Sequence, residues 1–189
     1  MLSQSSSVKA MESGAKYGAI AGLIATWSIS TAIAASELEL GLPIGSFYAI
    51  MGLSLGYGDF AIYAGFGLHL LTGTVLGALL GFAAARLAIK SLLDPYRSLL
   101  MGMGAGMAVW LVLFLPVTAL MVQPSLSRSG QLGEYLQLLP LDAGQFVWGI
   151  ALSAIVFHLV WGAIFGYMAS ALMRIQAFKL AHPKGGVAQ

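Results

Sequence analysis

Two histidines head matching glycine ladders. Residues 69–81 read HLLTGTVLGALLG, and residues 158–170 read HLVWGAIFGYMAS. His69, Leu70, Gly73 and Gly77 thus recur as His158, Leu159, Gly162 and Gly166. Imidazole titrates near neutrality, ligates metals and hydrogen-bonds through either ring nitrogen. Each copy lies in a long apolar run, so each ring is expected deep in a bilayer, where it needs a partner. Three chemistries follow. The first is an interhelical hydrogen bond, contributing about 0.6 kcal/mol on average. Thr26, Ser28, Ser30 and Thr31 are candidate partners, and Trp27 and Trp110 could donate an indole N–H. The second is cofactor binding. Two imidazoles at one depth suit axial ligation of a haem b iron or a share in a copper site, and the neighbouring glycines would admit a flat macrocycle. The spans offer no Asp, Glu or Cys as a third donor. The third is a proton or small-solute path through His69 and His158. Transporters usually add an acid, a base or a broken helix. Here the only breaker inside a span is Pro116, expected to kink its helix and free a carbonyl.

Other features point away from catalysis. Gly102-x-Gly104-x-Gly106 lies within an apolar run, without the strand–turn–helix setting of a dinucleotide site. Glu37 and Glu39 pair at a helix end and read as a solvated outer rim. His182, in the tail AHPKGGVAQ, reads as disordered. No serine has an activating base at a recognisable spacing. A non-enzymatic role is therefore expected, with no catalytic residue.

The elements that position the histidines follow from composition. Of 189 residues, 59% are hydrophobic and only 8% charged, against roughly 25% charged in soluble domains. Mean hydropathy is +0.87. The chain is all-α and integral to a membrane on this reading. It has no cysteine, which excludes disulfides and thiolate chemistry. A net charge of +2, without a basic aromatic patch, gives no sign of nucleic-acid binding. Four segments, near 16–36, 60–84, 98–122 and 145–172, reach the length of about 20 apolar residues that a bilayer requires. Lys9, Lys16, Arg86, Lys90, Arg97, Arg174, Lys179 and Lys184 flank one side of these spans, and only Arg128 flanks the other. The positive-inside rule then places both termini in the cytoplasm, in the cytoplasmic (inner) membrane of the cell. Glu37, Glu39, Asp59, Glu134 and Asp142 fall outside.

The expected organisation is a cytoplasmic tail (1–15), a first hairpin (16–84) with an apolar outer loop (37–59), and a cytoplasmic loop (85–97). A second hairpin (98–172) with outer loop 123–144 and a tail (173–189) follow. The small residues Thr31 to Ser36 resemble a signal-cleavage site, but the apolar stretch from Tyr17 exceeds the usual h-region, so no cleavage is expected. Residues 43–58 are too short to span. They read as a short helix on the outer surface, with a re-entrant segment as the alternative. Glu134–Leu139 reads as one amphipathic turn.

Residues four apart share a helix face, and each span carries a small stripe on that period. Gly18 and Gly22 lie on span 1, Gly73 and Gly77 on span 2, Gly102 and Gly106 on span 3, and Gly162 and Gly166 on span 4. Such faces let backbones touch, which drives association in lipid. Spans 2 and 4 match clearly. Spans 1 and 3 match weakly, with Gly18 and Gly22 aligned to Gly102 and Gly106. The chain thus reads as a duplicated, parallel helical hairpin (2+2) about an axis along the membrane normal. Both histidines then sit about 25 Å from the inner basic anchors, facing one another.

A glycine-rich first helix, an H-L-x-x-G helix, the run GMGAGMAVWLVLFLPVTAL and a second H-L-V-x-G helix resemble the YagU-like and related four-helix membrane proteins of bacteria and archaea. The likeness rests on His69, Gly73, Pro116, His158 and Gly162. It implies an integral membrane protein without implying a chemistry. The expected role is an accessory or scaffold subunit of a membrane complex, partnered by lipid and by other subunits or further copies of itself. A proton or small-solute permease and a haem- or metal-binding protein are the alternatives.

Overall fold

The computed structural model describes residues 4–39, 41–87, 93–124 and 143–182. Lys90, Arg128, the turn expected over Glu134–Leu139, Asp142 and Lys184 lie outside them. The regular structure among the described residues is helical: α1 (Gln4–Glu39), α2 (Ser46–Ser54), α3 (Ala61–Arg86), α4 (Pro95–Val109) and α5 (Ala143–Ala181). Four helical stretches are long and apolar enough to cross a membrane: Ala10–Glu39, Gly58–Arg86, Pro95–Val122 and Trp148–Phe178. They contain the core of each segment expected from sequence and run past most of its ends.

Local chemistry sets several boundaries. Asp94 caps α4, its Oδ1 accepting from Arg97 N at 2.9 Å, with Pro95 at the first helical position where its missing N–H costs nothing. Pro116 does not end the helix. Beyond Val109 the chain continues through π-helical turns at Trp110–Phe114 and Thr118–Val122, either side of Leu115–Val117. A proline ring crowds the carbonyl four residues earlier and donates no hydrogen bond, and the wider π turn relieves both problems.

Glycines fix the helix pairs. In α1 against α3, Gly14 meets Gly81, Gly18 meets Gly77 and Gly22 meets Gly73. A Cβ on any of these would overlap an opposing carbonyl or, at Gly73, the Thr26 hydroxyl. In α4 against α5, Gly102 meets Gly162, Gly106 meets the His158 carbonyl, and Gly166 meets Ser98. Ser98 Oγ also donates to Gly166 O at 2.8 Å. Both pairs are antiparallel. Their register differs from the sequence match. Gly22 lies on Gly73 and Gly102 on Gly162, so Gly102 stands where Gly22 does, one turn away from the Gly18–Gly102 alignment. Trp110 accounts for the slip. The sequence register would set its indole against the His158 backbone. The observed one moves it along α5, where Nε1 donates to Ala151 O at 3.0 Å.

The hairpins join along α1 and α5. Ala21, Ala25, Ile29 and Ile33 of α1 pack with Trp161, Phe165 and Ala169 of α5 in the buried core. The order across the bundle is α3, α1, α5, α4, and α3 and α4 share almost no contact. A two-fold exchanging the hairpins would form both seams; only one is present. Gln176 Nε2 donates to Ser13 Oγ at 2.9 Å, which holds the start of α1 and the end of α5 together. Lys16, Arg86, Arg97 and Arg174 lie at that end, and Glu37 and Asp59 at the other.

Two expectations change at the ends. The apolar segment 43–58 does form a short helix, α2, but it packs lengthwise on α3. Gly52 abuts Ala61 and Gly65 abuts the Tyr48 backbone, and Tyr48, Ala49 and Ile50 are buried. Its apolar character reflects this packing. At the other end α5 reaches Ala181, and the His182 ring stacks on Phe178 at 4.5 Å in place of a disordered start to the tail.

Gly73→Leu and Gly162→Leu should each destabilise by about 1–3 kcal/mol or more, the usual cost of forcing a side chain into close packing. Leu71→Ala and Val160→Ala, at positions 58% and 43% exposed, should change the melting temperature far less. Thermal unfolding of the four variants in one detergent makes the comparison.

Candidate functional site

The site begins at Thr26, 1% exposed on α1. Its hydroxyl donates to Gly22 O at 2.7 Å, the back-bond that a helical threonine readily makes. The oxygen keeps its lone pairs, and Trp161 Nε1 of α5 donates to it at 2.9 Å. Gly73 of α3 lies directly over the same hydroxyl. Three helices meet at one oxygen. Trp161 is held flat by Phe165, stacked at 5.3 Å with 3° between the rings.

The two histidines flank this junction without joining it. His158 Nδ1 donates to Ala154 O in its own helix at 2.7 Å, because a carbonyl can only accept. The Nε2 atom of the neutral ring then carries the lone pair. Phe114 lies against the ring, with centroids 5.0 Å apart. His69 of α3 is surrounded by α2. Its ring lies 5.5 Å from that of Tyr48 and 6.2 Å from that of Phe47, and its Nε2 is buried with no hydrogen-bond partner.

The interhelical ties expected for these rings are not formed. Thr26 serves Trp161. Ser28 Oγ donates to Ile24 O, Ser30 Oγ to Thr26 O and Thr31 Oγ1 to Ser28 O. Each hydroxyl spends its proton on a carbonyl of its own helix. Trp110 bonds Ala151, and Trp27 is 56% exposed. The buried hydrogen bond between the hairpins comes instead from Trp161, a residue inside the second glycine ladder, alongside the part-buried Gln176–Ser13 bond.

The glycine faces do not fit a macrocycle. Gly73, Gly77, Gly162 and Gly166 are each covered by atoms of the facing helix. Phe47 stands edge-on to His69, Tyr48 is tilted against it, and Phe114 is tilted against His158, so aromatic rings crowd both imidazoles. Two imidazole nitrogens remain as donors for a metal. Among the described residues no three His, Cys, Asp or Glu side chains gather as a metal-binding group.

Sequence reasoning missed Glu37. It is 4% exposed, where a solvated rim was expected. Its carboxylate accepts from Gly45 N and Phe47 N, both at 2.7 Å, and so caps the start of α2, where unpaired N–H groups favour an anion. Gly45, with φ 92°, turns the chain so that these N–H groups point at the acid; other residues resist that conformation. Behind the cap, Tyr48 is 5% exposed. Burial pushes its phenol pKa up and the Glu37 charge adds to this, while the Ser30 hydroxyl works in the opposite sense. The available signal was an acid close ahead of an apolar segment too short to span, whose N-terminus would need a cap.

No family model, curated protein or solved structure matches the chain.

Thr26→Val keeps the shape and removes the acceptor, leaving the Trp161 N–H buried and unpaired. This should cost about 1–3 kcal/mol. Trp161→Phe in the Thr26→Val background should cost less than Trp161→Phe alone, because the bond is already lost. Thermal melts of the two single variants and the double variant give the coupling.

Proposed function

We propose that this chain is an integral protein of the cytoplasmic membrane, with four spans, both termini in the cytoplasm and no cleaved signal. The separation of charge between the ends of the bundle carries this reading. Lys16, Arg86, Arg97 and Arg174 share one end, and cytoplasmic flanks are the basic ones. The middles of the outer helices α3 and α4 bury only 11% of their most apolar windows, as suits helices facing lipid. We read the two hairpins as products of a duplication in which the glycine pairing was kept and the register slipped around Trp110. The likeness to YagU-like four-helix proteins, carried by His69, Gly73, Pro116, His158 and Gly162, supports the same architecture.

The function that fits best is that of a non-enzymatic accessory or scaffold subunit, assembled with other membrane subunits or with further copies of itself. Its supports are a buried α1–α5 centre and two outer helices whose apolar faces are left open to neighbours in the bilayer. A second reading, a permease for protons or a small solute, draws on the buried, unpaired Nε2 of His69 beside α2.

Two experiments test the proposal. In this cysteine-free chain, Ser5→Cys should be labelled only after the cells are opened, and Tyr57→Cys from outside intact cells; the reverse pattern would overturn the topology. Purified in mild detergent, the protein should bring down a defined membrane partner or a discrete homo-oligomer. Solute or proton flux through the protein alone in liposomes, lost in His69→Ala, would favour the permease.

A further inference from the structure

The fold encloses a second polar site, apart from the Thr26 junction, between α1, α2 and α3. Tyr48 Oη is buried and makes no hydrogen bond of adequate geometry. The Ser30 hydroxyl is near Tyr48 but gives its proton to Thr26 O at 2.9 Å, so it offers the phenol lone pairs and no donor. His69 Nε2 is also buried and unpartnered, and the two rings stand 5.5 Å apart, tilted by 50°. Buried polar atoms are nearly always satisfied, so two orphans on adjacent rings need a common explanation.

Their chemistry is complementary. A phenol offers one proton and lone pairs, and a neutral imidazole nitrogen either donates or accepts. Aromatic rings line the surroundings. Phe47 lies against His69, and Phe66 and Phe47 lie edge-on to Tyr48 at 5.2 and 5.4 Å. An ion would find no counter-charge beside the two rings, since the Glu37 carboxylate is engaged by Gly45 N and Phe47 N. A small neutral molecule able both to donate and to accept satisfies both atoms at once. The helix α2 supplies Tyr48 and is fixed at its start by the Glu37 cap.

We propose that Tyr48 Oη and His69 Nε2 together bind one small neutral hydrogen-bonding molecule of about the size of water, held beneath α2. The site belongs to the first hairpin alone. Among the described residues it has no counterpart in the second, where Phe114 lies against His158 and its Nδ1 is satisfied by Ala154. It holds whichever subunit or permease role the protein plays.

The test is an experimental map of the wild-type protein at a resolution that shows ordered water, paired with thermal melts. Density for one molecule is expected about 2.7–3.2 Å from both Tyr48 Oη and His69 Nε2, and it should be lost in Tyr48→Phe. A direct Tyr48–His69 hydrogen bond, or a closed gap without density, would overturn the proposal. Tyr48→Phe and His69→Leu should each lower the melting temperature by roughly 2–4 °C or more, on the scale of about 1 kcal/mol for a chain this long. The double variant should lose less than the two together, because it removes both orphans. Strictly additive losses, or an unchanged melting temperature in Tyr48→Phe, would count against a shared ligand.

Discussion

The bundle turns on one oxygen. In a bilayer, helices gain nothing from the hydrophobic effect when they associate, so close packing and hydrogen bonds must hold them. Glycines bring α1 onto α3 and α4 onto α5, but glycine contact alone would leave two independent hairpins. The apolar α1–α5 core and the Gln176–Ser13 bond help to join them, and Thr26 adds the buried polar tie. Its proton is spent within α1, its lone pair takes the Trp161 N–H of α5, and its hydroxyl seats against Gly73 of α3. A serine there could supply the oxygen but not the methyl group, and a valine could supply the shape but not the acceptor. The β-branched side chain also has few rotamers to lose. This places the oxygen at little entropic cost.

The seam is one-sided, and much of the structure follows from that. Because α1 and α5 occupy the centre, Ala21, Ala25 and Ala169 share it with larger residues, and the core is thin. The outer helices keep glycine inward and show large apolar side chains outward, among them Leu71, Val75 and Leu79 on α3 and Leu111, Val112 and Leu120 on the π-helical continuation of α4. The histidines sit at the edges of the seam and inherit different surroundings despite their matching sequence. His158 settles its Nδ1 proton within α5. His69 is enclosed by α2, an element the second hairpin does not repeat among the described residues. Like residues at like positions need not have like roles once the neighbouring loops diverge.

Much of this was legible in the sequence, for identifiable reasons. The four apolar helices follow from length and hydropathy, and the glycine faces follow from a four-residue period that survives translation into structure. Three things were not legible. The register of α4 on α5 depends on where an indole finds room and an acceptor, and a ladder of glycines with a four-residue repeat fits itself equally well one turn along. The Trp161–Thr26 bond joins residues far apart in sequence, and in each chain segment those residues look like ordinary packing positions. Glu37 was assigned to solvent because carboxylates usually seek water; its partners are two backbone N–H groups presented by the turn at Gly45, and residue types do not display backbone donors.

The arrangement makes α1 and α5 neighbours along their length and puts the start of α1 and the end of α5 side by side. In this cysteine-free chain, a Ser13→Cys, Gln176→Cys pair in native membranes measures that most directly, since the wild-type side chains touch at 2.9 Å. Mild oxidation or a short thiol cross-linker should join the pair rapidly within one chain, and a fragment gel after cleavage between α3 and α4 should show the halves held together. Halves that separate under those conditions, with both cysteines shown to be reactive, would mean that the hairpins do not meet through α1 and α5.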